Sequence, residues 1–235
     1  NGELLGFEAL VRWFHPTRGQ VYPDRFMPAV ESLPICRELT DHLLGLAVAQ
    51  IATWHRNGLD VHVAVNLSAR DASDPALPAT IAGLLAEHEV DVRWLHLELT
   101  ESTLLANQDV TRSVLGELRE LGCDIAIDDY GTGFASLSYL AVLPVTGLKI
   151  DQSFVMKMDV DPHAAAIVRH SIDLGHSLGM TVVAEGIESP EIGQMLSDMG
   201  CDVAQGYAIS RPMPADDVEA WAQQSARILE EITNS

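Results

Sequence analysis

Short apolar runs alternate with longer segments of helical periodicity along almost the whole chain. Strand-like runs occupy residues 4–13, 61–67, 94–99, 124–128, 147–150, 181–184 and 202–205. Helical patterns lie between them at residues 38–57, 76–89, 109–121, 163–178 and 191–199, and a last one covers residues 215–232. This alternation is typical of parallel strands joined by crossover helices. The pattern therefore predicts an α/β fold.

The predicted helices carry matching signals at their ends. Asp161-Pro162 and Ser189-Pro190 each place an oxygen-bearing side chain before a proline at the first helical position. A glycine follows the expected end of several helices, at Gly58, Gly122, Gly179 and Gly200. No linker rich in Gly, Ser or Pro divides the 235 residues, so one domain spanning residues 1–235 is the simplest organisation.

One polar residue stands at or near the carboxyl end of each predicted strand. The series is Glu8, Asn66, Glu98, Asp128, Lys149, Glu185 and Gln205. A closed barrel brings all its strand ends to one mouth, whereas an open doubly wound sheet spreads them along a line. The series therefore favours a TIM-like (β/α)8 barrel with one strand unaccounted for. The alternative is that each strand simply turns polar where it reaches the surface.

The acidic members of this series indicate a metal site. Carboxylates that converge without cations repel one another, and their pKa values rise. Oxygen ligands without cysteine or a histidine motif favour Mg²⁺ or Mn²⁺ over zinc. Asp128-Asp129 precedes a glycine-bearing segment at residues 130–133. Such a pair could bridge two metals about 3.5–4 Å apart, the arrangement used in phosphoryl displacement, although it could also merely form a turn.

Two cations and two histidines have more than one interpretation. Lys149 is either an ion-pair anchor or a group that holds a nucleophilic water and offsets charge on a phosphorane. Arg12 has the strand parity of Glu8 and suits a phosphate at the rim of the mouth, but an exposed surface arginine is an equal alternative. His62 and His96 could bind metal, but they join neither an HExxH motif nor the strand-end series, so they are expected to be partly buried structural residues within strands.

Composition limits the partners. Fourteen Lys+Arg stand against 34 Asp+Glu, a formal net charge of −20, which argues against binding to a long nucleic acid or to an anionic membrane. The three cysteines have neither disulfide nor zinc spacing, and no apolar run is long enough for a membrane span. We expect a cytoplasmic domain that is a piece of a longer protein.

A series of segments at the strand ends matches one known family in chain order. They are Glu8-Ala9-Leu10-Val11-Arg12-Trp13, Asn66-Leu67-Ser68, Glu98-Leu99-Thr100-Glu101, Asp128-Asp129-Tyr130-Gly131-Thr132-Gly133, Leu148-Lys149-Ile150-Asp151, Ala184-Glu185-Gly186-Ile187-Glu188 and Gln205-Gly206-Tyr207. Together they resemble the EAL domain of bacterial cyclic di-GMP phosphodiesterases. The resemblance implies a TIM-like barrel carrying an antiparallel strand, and metal-dependent hydrolysis of one phosphodiester bond of cyclic di-GMP to linear pGpG.

The resemblance also implies ligands for two ions of Mg²⁺ or Mn²⁺. The first ion would be held by Glu8, Asn66, Glu98 and Asp128. The second would be held by Asp128, Asp129 and Glu185.

Further roles are implied for residues around the metals. Lys149 would position the attacking water, and Glu185 would also act as the general base. Glu101 would anchor the loop that begins at Tyr130, and Glu188 would support the site from behind. On the substrate side the resemblance implies a phosphate contact by Arg12 and a polar contact by Gln205.

The chain departs from the family pattern at its beginning. Family members normally carry a strand with a Tyr-Gln-Pro-like segment before the sequence that matches residues 1–6, so we expect a barrel that is open at one edge. Tyr130 replaces the commoner Phe, Ala135 stands where Ser is usual, Pro34 where Gly is frequent, and Ala208-Ile209 replace a bulkier pair. None of these changes removes a predicted metal ligand.

Two other functions stay open. A non-catalytic EAL module would act as a receptor for cyclic di-GMP or for a protein. A different barrel enzyme could use a lysine base and metal-bound carboxylates to remove a proton from a carbon acid. The resemblance further implies that homodimers form in some family members, and that sensory or GGDEF-type domains flank this piece in its parent protein.

Overall fold

Parallel strands form the centre of the fold. The computed structural model describes residues 2–105, 107–133 and 137–233. Its strands are β1 (Gly6–Ala9), β2 (Trp13–His15), β3 (Gly19–Val21), β4 (His62–Leu67), β5 (Leu95–Thr100), β6 (Asp124–Tyr130), β7 (Gly147–Ile150), β8 (Thr181–Ala184) and β9 (Val203–Ala204). Seven of these described strands form one parallel sheet in the order β1-β4-β5-β6-β7-β8-β9, and β2 pairs with β3 as an antiparallel hairpin. The predicted α/β fold is confirmed.

Helices connect the strands. They are α1 (Pro23–Glu31), α2 (Ile35–Arg56), α3 (Leu77–His88), α4 (Gln108–Leu121), α5 (Leu137–Leu140), α6 (Gln152–Val155), α7 (Pro162–Ser177), α8 (Pro190–Asp198) and α9 (Ala215–Thr233). Short 3₁₀ turns occupy Val92–Trp94 and Thr103–Leu105. Among the described residues, no helix is both long enough and apolar enough to cross a bilayer.

The predicted helix ends are found in place. The Asp161 carboxylate accepts a hydrogen bond from the backbone N–H of His163, at 2.8 Å, at the start of α7. The Ser189 hydroxyl accepts one from the N–H of Ile192, at 3.3 Å, at the start of α8. Gly122 ends α4 with a φ of 106°, a left-handed conformation that favours glycine.

The sheet curls so that its two edges approach at one end. Within the described residues β1 and β9 are the edge strands. Gln205, directly after β9, donates a hydrogen bond of 2.8 Å to Glu8 of β1. The register places Asn66 beside Glu98 and Thr100 beside Asp128 on neighbouring strands. The carboxyl ends of the strands therefore surround one mouth, as in a TIM-like barrel.

Alternate residues along the strands separate the apolar core from the mouth. Leu97 and Leu99 of β5 and Ile127 of β6 are completely buried in the core cluster. Because neighbouring side chains on a strand point to opposite faces, Glu98 faces the inside of the curled sheet. The packed core thus holds the acidic strand ends in fixed positions.

The prediction of one strand over residues 4–13 is wrong in its second half. The chain leaves the sheet after Ala9 and enters the separate hairpin at Trp13. Residues 9–14 are apolar except for Arg12 and contain no Gly or Pro, so the sequence gives no signal that the chain leaves the sheet here. Helix α1 was also missed, since it carries an internal proline, Pro28, and buries only Phe26.

Candidate active site

A buried ammonium group lies at the centre of the mouth. Lys149, at 1% side-chain exposure, places its Nζ 2.7 Å from Glu98 Oε2 and 2.7 Å from Glu185 Oε1. The same Nζ is 3.3 Å from Asp128 Oδ1 and 3.6 Å from Glu8 Oε2. Carboxylates from four different parts of the sheet therefore converge on one cation.

Two amide side chains fix Glu8. Asn66 Nδ2, at the end of β4, donates a hydrogen bond of 2.7 Å to Glu8 Oε1. Gln205 Nε2 donates one of 2.8 Å to Glu8 Oε2. Both oxygens of this carboxylate are thereby oriented, and all members of the predicted strand-end series lie at the same mouth.

A β-bulge brings Asp128 and Asp129 to the same site. The register of β6 against β7 shifts between Ile127 and Tyr130, and Asp129 has a φ of 55°. The backbone N–H of Asp129 donates a hydrogen bond of 2.9 Å to Asp128 Oδ1. The strand does not end here, as the sequence argument required, but continues through Tyr130. The extra residue of the bulge, rather than a strand end, lets adjacent side chains share one site.

The carboxylates form two groups that share one residue. Ligand oxygens of Glu8, Glu98 and Asp128 lie within 4.8 Å of one another, and so do those of Asp128, Asp129 and Glu185. These groups correspond to the carboxylates implied for the two ions. An oxygen-only donor set of this kind fits Mg²⁺ or Mn²⁺.

The electrostatics show that the site carries more negative charge than Lys149 neutralises. Burial raises the pKa of Glu98 to about 8 against the opposing effect of Lys149, and Glu8 adds to the rise. Burial likewise raises the pKa of Glu185 to about 7. Although burial alone would lower the pKa of Lys149, the surrounding carboxylates raise it above its usual range. The metal-free site therefore holds protons near neutral pH that a metal would displace.

Asp151 belongs to this acidic site but was not assigned a role from the sequence. Burial, Asp128 and Asp151 together raise the pKa of Asp129 to about 6. Asp151 is itself buried and caps α6 by accepting a hydrogen bond of 3.0 Å from the N–H of Ser153. The sequence could have indicated a role for Asp151, because it lies two residues after Lys149 at the end of β7.

Comparison with known proteins identifies the family. The sequence profile of the EAL domain family matches residues 1–212. The chain belongs to the EAL domain family.

Individual relatives agree with this assignment. The chain is 39% identical to the cyclic di-GMP phosphodiesterase PA2567 of Pseudomonas aeruginosa, over 95% of this chain and 38% of the relative. It is 38% identical to the bifunctional diguanylate cyclase/cyclic di-GMP phosphodiesterase MucR of the same organism, over 94% of this chain and 32% of the relative. The chain thus spans about a third of the length of these relatives.

Solved structures show the same fold. A structure of the PaMucR phosphodiesterase in complex with c-di-GMP superposes with a TM-score of 0.88 at 37% identity, covering 93% of this chain and 89% of that one. The TIM-like fold expected from the resemblance is thereby confirmed.

In this EAL domain, Glu101 holds the loop that follows the bulge. Its Oε2 accepts a hydrogen bond of 3.1 Å from the backbone N–H of Gly133, and the side chain is buried. A Cβ at Gly133 would lie 2.8 Å from the Glu101 carboxyl carbon, so a larger residue here would displace the Glu101 carboxylate. Ala135, which replaces the Ser that is usual in the family, lies outside the described residues.

Two predicted site residues lie apart from the carboxylate groups. Glu188 is exposed in the loop after β8 and belongs to neither ligand group. Arg12 does not share a strand with Glu8, because β1 ends at Ala9. It follows the carboxyl end of β1, on the mouth side, and its Nη1 donates a hydrogen bond of 2.9 Å to the carbonyl oxygen of Val11.

The two strand histidines lie in the opposite half of the sheet from the mouth. His62 begins β4 and His96 is the second residue of β5, and both are partly buried as expected. Their rings stack with centroids 3.7 Å apart. Burial and the neighbouring His96 lower the pKa of His62 to about 4. These histidines are structural parts of the barrel floor.

Proposed function

We propose that this EAL domain hydrolyses one phosphodiester bond of cyclic di-GMP to linear pGpG, using two ions of Mg²⁺ or Mn²⁺. The observation that carries the proposal is the pair of carboxylate groups that share Asp128 and surround Lys149. Family membership supports it, as do the names of the relatives and the c-di-GMP complex of a related structure.

Some residues of the site would bind the metal ions, and others would position the attacking water and accept its proton. Glu8, Asn66, Glu98 and Asp128 would hold one ion, and Asp128, Asp129 and Glu185 the other. When bound, such ions supply positive charge that activates water and stabilises the phosphoryl oxygens. Lys149 donates hydrogen bonds to the attacking water, and Glu185 accepts its proton.

The remaining contacts orient the loop and the substrate. Glu101 keeps the loop that carries Gly133 close to Asp129, so the bulge retains its shape. Arg12 would bind a substrate phosphate, Gln205 would contribute a polar contact beside Glu8, and Glu188 would support the loop after β8.

We also propose that the domain works within a longer cytoplasmic signalling protein. The chain covers 38% and 32% of two relatives, one of which is named as a bifunctional cyclase and phosphodiesterase. Sensory or GGDEF-type domains would then flank this single domain.

Product analysis tests the proposed reaction. The protein is incubated with cyclic di-GMP and Mg²⁺ or Mn²⁺, and the nucleotides are separated by chromatography. We expect pGpG from the wild type, at least about 100-fold slower turnover for Glu185→Gln, and no change for Glu120→Gln, an exposed residue of α4.

Other outcomes point to other functions. Tight binding of cyclic di-GMP without turnover would identify a receptor, and neither binding nor turnover would favour the carbon-acid enzyme. Chelation is expected to abolish hydrolysis, so full activity in a rigorously metal-free sample would overturn the metal-dependent mechanism.

A further inference from the structure

An arginine and a tyrosine face each other at the base of the β2–β3 hairpin. The antiparallel register pairs Trp13 with Val21, and one further step places Arg12 opposite Tyr22. The guanidinium carbon of Arg12 lies 5.3 Å from the centroid of the Tyr22 ring. This is the geometry of a cation–π contact.

Tyr22 lies where the β2–β3 hairpin joins α1. Tyr22 is the N-cap residue of α1, with an extended backbone, and a proline occupies the first turn of the helix behind it. Its side chain makes no capping hydrogen bond, so the ring is left for the contact with Arg12. On the hairpin side, Trp13 packs edge-on against the buried Phe26 of α1 at 5.7 Å. The hairpin and α1 therefore fix the backbone on both sides of Tyr22, whose half-exposed ring contacts Arg12.

The position of Arg12 gives this contact a role at the mouth. The arginine follows the carboxyl end of β1, which carries Glu8. Lys149, the cation inside the mouth, is surrounded by four carboxylates. The Arg12 guanidinium uses one N–H on the carbonyl of Val11, which leaves its other N–H donors for an anion.

We propose that Tyr22 is a positioning residue for substrate phosphate, because its ring holds the Arg12 guanidinium in the orientation that binds a phosphate of cyclic di-GMP. This inference rests on the function proposed above. Arginine loses rotamer freedom when it binds a ligand, and a side chain that is already held loses less. Loss of the ring should therefore weaken substrate binding and leave the reacting groups unchanged.

Steady-state kinetics with cyclic di-GMP and Mg²⁺ test the role of Tyr22. Tyr22→Leu should raise KM about threefold to fivefold and leave kcat within about twofold of the wild type. Tyr22→Phe keeps the ring and should restore the wild-type KM. In an Arg12→Gln background, Tyr22→Leu should have no further effect on KM.

A matched control separates this contact from cation–π pairs in general. Arg93 lies 4.9 Å from the ring centroid of Trp94, in the turn before β5 and thus away from the mouth. Arg93→Gln removes one positive charge and one cation–π contact, and should leave KM unchanged.

Three results would overturn the role of Tyr22. They are an unchanged KM in Tyr22→Leu, effects of Tyr22→Leu and Arg12→Gln that simply add, and a fall in kcat together with a lower unfolding temperature. Failure of the proposed function itself is distinguishable, since the wild type would then release no pGpG before any variant is compared.

Discussion

A single residue, Lys149, offsets part of the negative charge of the acidic mouth in the metal-free protein. Its Nζ lies within 4 Å of four carboxylates, and its side chain is 1% exposed. Breaking a buried ion pair by removing one partner strongly destabilises a protein, because the remaining charge is left without compensation. Lys149 therefore has a structural role besides the chemical one.

We predict that Lys149→Met lowers the free energy of unfolding of the metal-free protein by about 3 kcal/mol at about pH 8.5. At pH 6 the loss should be smaller, because Glu98 and Glu185, with pKa values of about 8 and 7, then carry protons. Urea unfolding in the presence of a chelator measures both values. Lys157→Met, at an exposed position, is the control. Equal stability of Lys149→Met and wild type at the higher pH would contradict the prediction.

Gly6 shows how closely the floor of the barrel is packed. A Cβ at this position would lie 2.3 Å from the ring of His62 on the neighbouring strand. We predict that Gly6→Ala destabilises the fold by about 1–3 kcal/mol, because the His62 ring must leave its stacked position on His96 or the two strands must shift. The loss should largely disappear when His62→Ala is added, and this pair of variants is compared by urea unfolding.

Gly116→Ala is the matched control for Gly6→Ala. A Cβ at Gly116, inside α4, meets no atom within 4 Å. This change should be neutral or slightly stabilising, since alanine favours helix. If Gly6→Ala behaved in the same way, the close contact with His62 would carry no energetic weight.

At the scale of elements, the sequence predicted the parallel strands better than the connection after β1. Strands β7 and β8 were predicted with the bounds they have, because each is a short apolar run between clear breaks. The hairpin was missed because the chain between β1 and β2 is mostly apolar and contains no Gly or Pro to mark a break. This error also affected the predicted site, because Arg12 was expected on the same strand as Glu8 and not beside Tyr22.

The candidate site was predictable where a strand carries one polar residue among apolar neighbours. Glu98 lies between two fully buried leucines, so it must face the inside of the sheet. The bulge at Asp129 and the approach of Asp151 depend on backbone geometry and on packing between distant segments. The spacing of residues along the sequence therefore predicts neither the bulge nor the position of Asp151.

His62, on β4 at the barrel floor, should make the stability of the fold depend on pH. The pKa of His62 falls from 6.5 in the unfolded chain to about 4 in the fold, through burial and the stacked His96. As the pH falls, His62 therefore binds a proton in the unfolded chain before it does so in the fold. The stability that neutral His62 contributes is fully present above pH 6.5 and is lost as the pH falls towards 4. We predict that His62→Phe reduces this acid-induced loss by about 2–3 kcal/mol.

Urea unfolding at several pH values between these limits measures the effect of His62→Phe. The exposed His163 of α7 provides a control, and His163→Gln should keep the wild-type dependence on pH. An identical dependence in His62→Phe and wild type would show that other groups dominate the acid response.

At the scale of the whole molecule, metal binding should stabilise the curled sheet and not only the site. The edge strands β1 and β9 meet at the mouth through Glu8 and Gln205. Glu8 is also a member of the first carboxylate group, together with Glu98 and Asp128 from the middle of the sheet. An ion held by these residues would connect an edge strand to the centre, so its binding energy adds to the stability of the fold.

This coupling extends to protons, because the same carboxylates bind either protons or metal. The pKa values of Glu98, Glu185 and Asp129 are raised to about 8, 7 and 6, so the metal-free protein is partly protonated at neutral pH. Metal ligands must be deprotonated, so the affinity for Mg²⁺ should increase as the pH rises through this range. We predict at least about tenfold weaker binding at about pH 6.5 than at about pH 8.5. Calorimetry in buffers of different ionisation enthalpy should show proton release on binding, reduced in Glu98→Gln and unchanged in Glu120→Gln. Binding without proton release would mean that the carboxylates are already ionised, and that Lys149 compensates their charge fully.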